Sequence, residues 1–312
     1  MKAVRKAFTE ALLELARKDE RIFALATDSR GSVTLGDFAA ALPNQFVECG
    51  IAEQDAVGVA AGLACVGMRP FVCGPASFYA ARAAEQIKID VAYSHKNVKI
   101  VGVSGGVSYG ALGATHHAVQ DIAWMRTIPG LQLFLPADAN QMTALVQALA
   151  TSCEPAYIRM GRGAVEEVYP PQAPFAIGKA NTLLPGDDAA IIACGEMVFY
   201  ALQAGKSLAR KGIHARVIDM HTIKPLDQDT VLSAAKTGAI VTVEEHSQLG
   251  GLGSAIAEIT AQRSPVPMRI LGLPDETLYS GSAQEVFAYY GLTAEGIQNA
   301  VEELLYEVHN RH

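Results

Sequence analysis

Residues 47–67, VECGIAEQDAVGVAAGLACVG, join a short apolar strand to a helix built almost wholly of small residues. The strand closes at Cys49-Gly50, and Glu53 falls in the first helical turn, at a position that reads as half buried. A strand without polar alternation that runs straight into a helix is the unit of a parallel sheet covered on both faces. The first half of the chain repeats that unit. Apolar runs RIFALATD, RPFVCG, VKIVGVSGG, LQLFLPA and AYIRMG alternate with helical patterns, among them 79–93 and 139–150. The last helix opens with PADANQ, where Asp138 or Asn140 can accept from free backbone N–H groups.

The pattern breaks over 166–188, EEVYPPQAPFAIGKANTLLPGDD, where prolines cluster and no period is visible. A second series follows, with strands AAIIACG, HARVIDM, AIVTVEEH and VPMRILGL and a closing helix AEGIQNAVEELLYEV. The expected fold class is α/β, with two doubly wound, mostly parallel-sheet domains at 1–170 and 186–312 and a linker at 171–185.

Composition agrees with large layered cores: half of the 312 residues are hydrophobic, 18% are charged and 28 are glycine. The net charge of −7, without any basic run, argues against nucleic acid or an anionic membrane as partner. Five scattered cysteines, mostly in apolar runs, read as reduced core residues without metal-ligand spacing. The amphipathic N-terminus carries acidic residues and no small-residue cleavage site, so it does not read as a signal peptide. No apolar run reaches the roughly 18 residues of a membrane span. These features predict a soluble, cytoplasmic protein.

Doubly wound sheets bind ligands beyond the carboxyl ends of their strands. The loops there are DSRGS (28–32), CGIAEQ (49–54), CGPASFY (73–79), SGGVSYGALGATHH (104–117) and RMGRG (159–163). Glu53 has a plain reading as a helix N-terminal carboxylate, stabilised by about 0.3–1 kcal/mol. Against it stands the small-residue face Gly58, Ala61, Gly62 and Cys65, which lets another backbone or subunit approach closely. A carboxylate pressed into such a contact is desolvated and becomes able to share a proton. The loop at 104–117 lacks the order of a phosphate-binding loop. It ends in Thr115-His116-His117, and a histidine at a helix start beside flexible glycines points to proton transfer.

GIAEQDAVGVAAGLA, SFYAARAAEQIKIDVA, GALGATHHAVQDIAWMRTIPGLQLFLPADANQ and EPAYIRMGRG together resemble the pyrimidine-binding domain of transketolase and of deoxyxylulose-phosphate synthase. The second half, with GIHARVIDMHTIKPLD and VTVEEHSQLGGLGSAIAE, resembles the C-terminal domain of the same family. The resemblance implies thiamine diphosphate as cofactor, with Glu53 bonded to N1′ of its aminopyrimidine so that thiazolium C2 becomes nucleophilic. It implies that Phe78, or its neighbour Tyr79, stacks on the pyrimidine. His116 handles protons on substrate oxygens, while His117 falls to a supporting or surface role. Arg162 grips a substrate phosphate. Arg5 and Ser32 fall at phosphate-contact spacing, and Arg82 matches a phosphate arginine of the synthase branch. His246 of the second domain is read as structural.

Two positions depart from the family pattern. Leu112 stands where an aspartate four residues before the histidine reads a sugar hydroxyl, and Ser104 stands where transketolase has a histidine. Both are counted with the substrate-binding positions, with Tyr109 as a replacement polar contact, and the sugar is expected to be non-standard. The GDG motif that holds the diphosphate and a divalent cation, Mg, is missing. The resemblance therefore implies a partner: an N-terminal diphosphate-binding subunit that holds the metal, in an α2β2 assembly with self-dimerisation. The expected reaction is transfer of a two-carbon ketol unit from a ketose phosphate to an aldose. The alternatives are the β subunit of a 2-oxo-acid dehydrogenase or a synthase-like enzyme.

Overall fold

A computed structural model describes residues 1–310; Arg311 and His312, the end of the range expected for the second domain, lie outside the described residues. Six strands come from the first half: β1 (Ile22–Ala26), β2 (Phe46–Glu48), β3 (Arg69–Pro75), β4 (Lys99–Val103), β5 (Gln132–Phe134) and β6 (Ala156–Met160). Six come from the second: β7 (Asn181–Leu184), β8 (Ala189–Ala193), β9 (Ala215–Asp219), β10 (Thr222–Lys224), β11 (Ile240–Ser247) and β12 (Met268–Leu273). The first sheet runs β10-β5-β6-β4-β3-β1-β2 and the second β12-β11-β8-β9-β7. Every pairing is parallel except β10 with β5 and β7 with β9. The interior strands β4, β6 and β8 are buried along their whole length, as unbroken apolar runs require when helices cover both faces.

Asp138 is the cap of the helix Ala139–Leu149: one carboxylate oxygen accepts from the Gln141 N–H at 2.8 Å, the other from Val168 and Tyr169. Three features depart from the sequence reading. The helix expected at 79–93 is divided into Ala76–Arg82, Ala84–Gln86 and a wide turn at Ile87–Tyr93 that keeps Ile87 and Val91 in the core. The stretch read as a linker contains β7. And β10, three residues long, leaves the second half to close the edge of the first sheet against β5. The two halves share a core in which Ile122, Met125 and Leu135 belong to one cluster with Ile192, Met220 and Leu252. Among the described residues, no helix is long and apolar enough to cross a membrane.

The polar centre of this junction is Arg159 on β6, 4% exposed. Its Nε lies 3.3 Å from Asp121 Oδ2, and its Nη2 donates to the Glu245 carbonyl at 2.6 Å, 3.8 Å from the Glu245 carboxylate. Glu245 in turn accepts from the Val107 N–H at 2.7 Å. Next to it, His246 accepts from the Ala123 N–H at 3.3 Å, so this histidine joins the halves. Removing one partner of a buried ion pair strands the other charges, at a cost of about 3–5 kcal/mol. Arg159→Met should therefore lose about that much stability in urea denaturation. A loss below about 1 kcal/mol, the range of exposed pairs, would contradict the role given to the guanidinium.

Candidate active site

The carboxyl ends of β1, β2, β3, β4 and β6 converge on one edge of the first sheet, and the loops there bring most of the expected residues into one line. Glu53 opens the helix Glu53–Cys65 and is 4% exposed, more buried than the sequence suggested. Its Oε2 accepts from Arg82 Nη1 at 3.2 Å. The Arg82 guanidinium lies over the Phe78 ring, 4.2 Å from its centroid. Phe78 meets the His116 ring edge-on at 5.3 Å, and His116 meets Tyr109 in the same way at 5.3 Å. Tyr109 faces the Arg162 guanidinium at 5.2 Å. Arg5 completes the line: burial and then the Arg162 charge push its pKa down, and its Nη1 donates to the Ser32 carbonyl at 2.5 Å.

Arg5, Tyr109 and Arg162 open into a cavity of about 750 Å³, closed on the far side by Glu196, Tyr200 and Phe287 of the second half. Arg5 Nε and Arg162 Nη1 are buried there without a hydrogen-bond partner. Two unpaired guanidinium nitrogens beside a polar cavity are chemically suited to an anion, because desolvated donors of like charge gain most from a doubly charged acceptor. His116 is half-buried, its Nδ1 2.9 Å from the Thr115 hydroxyl, which leaves Nε2 for a ligand.

Four expected residues are placed elsewhere: Arg82, expected at a phosphate, is held instead by Glu53 and Phe78, and the others are Tyr79, Ser104 and Leu112. Tyr79 is fully buried, with its ring against Gly74 and its hydroxyl donating to Thr27 at 3.4 Å, so of the two neighbouring aromatics only Phe78 reaches the cleft. Ser104 is fully buried at the end of β4, in a left-handed conformation (φ 60°) with an unpartnered hydroxyl, and does not line the cavity. Leu112 is 54% exposed on the rim, also outside the cavity lining. Of the supporting or surface role expected for His117 the structure fits the first: it is buried, donating from Nε2 to the Gly110 carbonyl at 3.2 Å. On the helix after Glu53, Ala61 packs inward while a side chain built on Gly58 or Gly62 would meet nothing, so that face stays open.

Sequence reasoning missed the second half's share of the site. Glu196 stands directly after β8, so the strand-end rule applied to the second sheet would have pointed to it. Its Oε1 occupies the space a Cβ would take on Gly161, the residue before Arg162. Glu244 and Glu245, two acids inside the apolar run of β11, were an equally readable signal. Their carboxylates are used: Glu244 accepts from the Leu252 and Gly253 N–H groups, while Glu245 turns to Arg159 and Val107.

Two covered parallel sheets, with a buried carboxylate and an arginine pair at the strand ends, define an α/β chain of the doubly wound class. Comparison with known proteins gives the family. The family models for the transketolase pyrimidine-binding domain and the transketolase C-terminal domain match residues 1–167 and 178–297. The chain is similar to one subunit of the apulose-4-phosphate transketolase of Phocaeicola vulgatus, 60% identical over 95% of this chain and 96% of the relative. It is similar also to a 6-deoxy-6-sulfo-D-fructose transketolase subunit of a Clostridium species, 39% identical over 96% and 94% of the two chains. Among solved structures, a split gene transketolase in an inactive beta4 tetramer superposes with TM-score 0.91 at 41% identity, covering 98% of this chain and 99% of that one. The chain belongs to the transketolase family. Membership implies thiamine diphosphate, and the cleft fits its ring: Glu53 is buried, its hydrogen bond comes from an exposed side chain, and Phe78 presents a ring beside it.

Burial, partly offset by the Arg159 charge, raises the pKa of Glu196 and of Glu245, and the Glu196 charge raises that of Glu245 further. Asp219 is pushed up to about 7 by burial. The folded chain thus holds protons that the unfolded chain, with glutamates near 4.5, has released. Stability should fall as pH rises from ~6.5 to ~8.5, a window above the titration of His117 and His221, which burial keeps neutral. Glu245→Gln should flatten that decline in thermal melts. A wild-type profile that rises with pH, or an unchanged slope in the variant, would contradict it.

Proposed function

We propose that this chain is the C-terminal, β-type subunit of a two-chain transketolase, completed by a diphosphate-binding partner that holds thiamine diphosphate's diphosphate and its divalent cation. The observation that carries this reading is the unbroken line from Glu53 through Phe78, His116 and Tyr109 to the pair Arg162 and Arg5. A ketose phosphate needs these parts in this order: a ring site, a proton-handling group and an anion site. When bound, thiamine diphosphate supplies the carbon nucleophile that accepts the two-carbon unit. Glu53 would hold the proton on N1′ of its ring, Phe78 would support the ring face, and His116 Nε2 would move protons at the substrate oxygens. Arg162 and Arg5 would fix the phosphate and so orient the substrate in the cavity.

The α2β2 assembly with self-pairing remains part of this proposal. It is supported by the open Gly58–Gly62 face and by relatives that are named as subunits. Those relatives are named for apulose 4-phosphate and 6-deoxy-6-sulfo-D-fructose, neither a standard pentose phosphate. Here the cavity beside Arg162 and Arg5 takes Glu196 and Tyr200 from the second half, polar groups within reach of a sugar hydroxyl. We assign a ketose phosphate of the apulose 4-phosphate type as donor.

The test is a steady-state comparison in the reconstituted enzyme. Apulose 4-phosphate should exceed xylulose 5-phosphate in kcat/KM, and Arg162→Ala should raise KM for both roughly 10- to 150-fold, the worth of a charge-assisted contact. Preference for xylulose 5-phosphate would overturn the donor assignment. Equal losses with phosphorylated and unphosphorylated sugars would remove Arg162 from the phosphate site.

A further inference from the structure

The contact that the proposed reaction does not use is the one between Arg82 and Glu53. We propose that Arg82 is a positioning residue that keeps the place of the cofactor's ring in this subunit, and that docking of the ring displaces it from Glu53 and Phe78. This rests on the reading that the pyrimidine of thiamine diphosphate binds at those two residues.

The geometry is that of a stand-in. A protonated aminopyrimidine would offer a planar cation to an aromatic face and an N–H to a carboxylate. The Arg82 guanidinium is itself a planar cation, 4.2 Å from the Phe78 centroid, and its Nη1 donates to Glu53 Oε2 at 3.2 Å. Without it Glu53, 4% exposed, would be a buried charge with no counter-ion, which is costly. The two partners differ sharply in accessibility: the Arg82 side chain is 51% exposed while that of Glu53 is 4% exposed. The arginine can therefore swing into water at small cost, whereas the carboxylate cannot. Arg82 also sits in the last turn of the helix Ala76–Arg82, where the backbone dipole favours a cation even after the ion pair is released. The consequence is a subunit whose carboxylate stays neutralised until the ring arrives, and a cofactor whose apparent affinity carries the cost of displacing the arginine.

The experiment uses the complex reconstituted with the diphosphate-binding subunit, titrated with thiamine diphosphate and Mg in a calorimeter. Arg82→Gln removes the cation and should bind the cofactor roughly five- to tenfold tighter, because no fraction with the guanidinium on Glu53 then reduces the apparent affinity. Arg82→Lys keeps the charge without the planar fork and should fall between Arg82→Gln and wild type. In a Glu53→Gln background the gain from Arg82→Gln should vanish, because the arginine has lost its anchor. Unchanged or weaker binding by Arg82→Gln would mean that the arginine stays on Glu53 in the assembled enzyme, and would overturn the proposal. So would a gain that persists in the Glu53→Gln background. If the wild-type complex binds no cofactor, or Glu53→Gln alone binds it as wild type does, the underlying reading of the ring site fails instead.

Discussion

One buried guanidinium determines how the loops of this chain can run. Arg159 faces Asp121 from its own half and Glu245 from the other, and it fills the space above the end of β4. A Cβ on Gly105 would lie 2.2 Å from Arg159 Nε, and one on Gly106 would lie 2.1 Å from the Glu245 carboxyl carbon. The glycines after Ser104 are therefore what a charge cluster under the loop requires. The segment that carries Tyr109 and His116 lies on this cluster. Buried ion pairs are weak sources of net stability, because desolvation offsets attraction. What this one supplies is a fixed relation between the two sheets, and hence between Arg162 and Glu196 across the cavity.

Much of the site was legible in the sequence because strand ends in parallel sheets are predictable places. Glu53, His116 and Arg162 lie in the segments that follow β2, β4 and β6, and the line of contacts brings them to one edge of the sheet. Phe78 and Tyr79 could not be told apart by spacing, since adjacent residues on a short helix differ only in which way they face. Burial separates them: Tyr79 fills the space over Gly74 and Phe78 meets His116. Leu112 and Ser104 were marked as departures from a family pattern, and neither lines the cavity of this chain. Arg82 was expected among phosphate contacts, yet its contacts are with Glu53 and Phe78.

What stayed hidden was whatever rests on pairing between distant parts of the chain. β10 carries too little pattern in three residues to announce that it closes the other half's sheet. The edge strand β7 lies in a proline-rich stretch that reads as a linker, and only its pairing with β9 identifies it. Arg159 sits inside an apolar strand, where a lone charge has no readable partner until Asp121 and Glu245 are brought to it. The same holds for Glu196, whose neighbour Gly161 is 35 positions earlier in the chain. Long-range pairing is a property of the fold, and local propensity carries no trace of it.

On the proposed reading this chain presents half of a cofactor site, the ring-facing carboxylate and aromatic, and a partner subunit supplies the group that grips a diphosphate. The direct measurement is calorimetric titration of thiamine diphosphate with Mg into the purified chain, and then into the chain mixed with a diphosphate-binding transketolase subunit. No tight binding is expected in the first titration, and stoichiometric binding in the second. Tight binding by the chain alone would contradict the half-site.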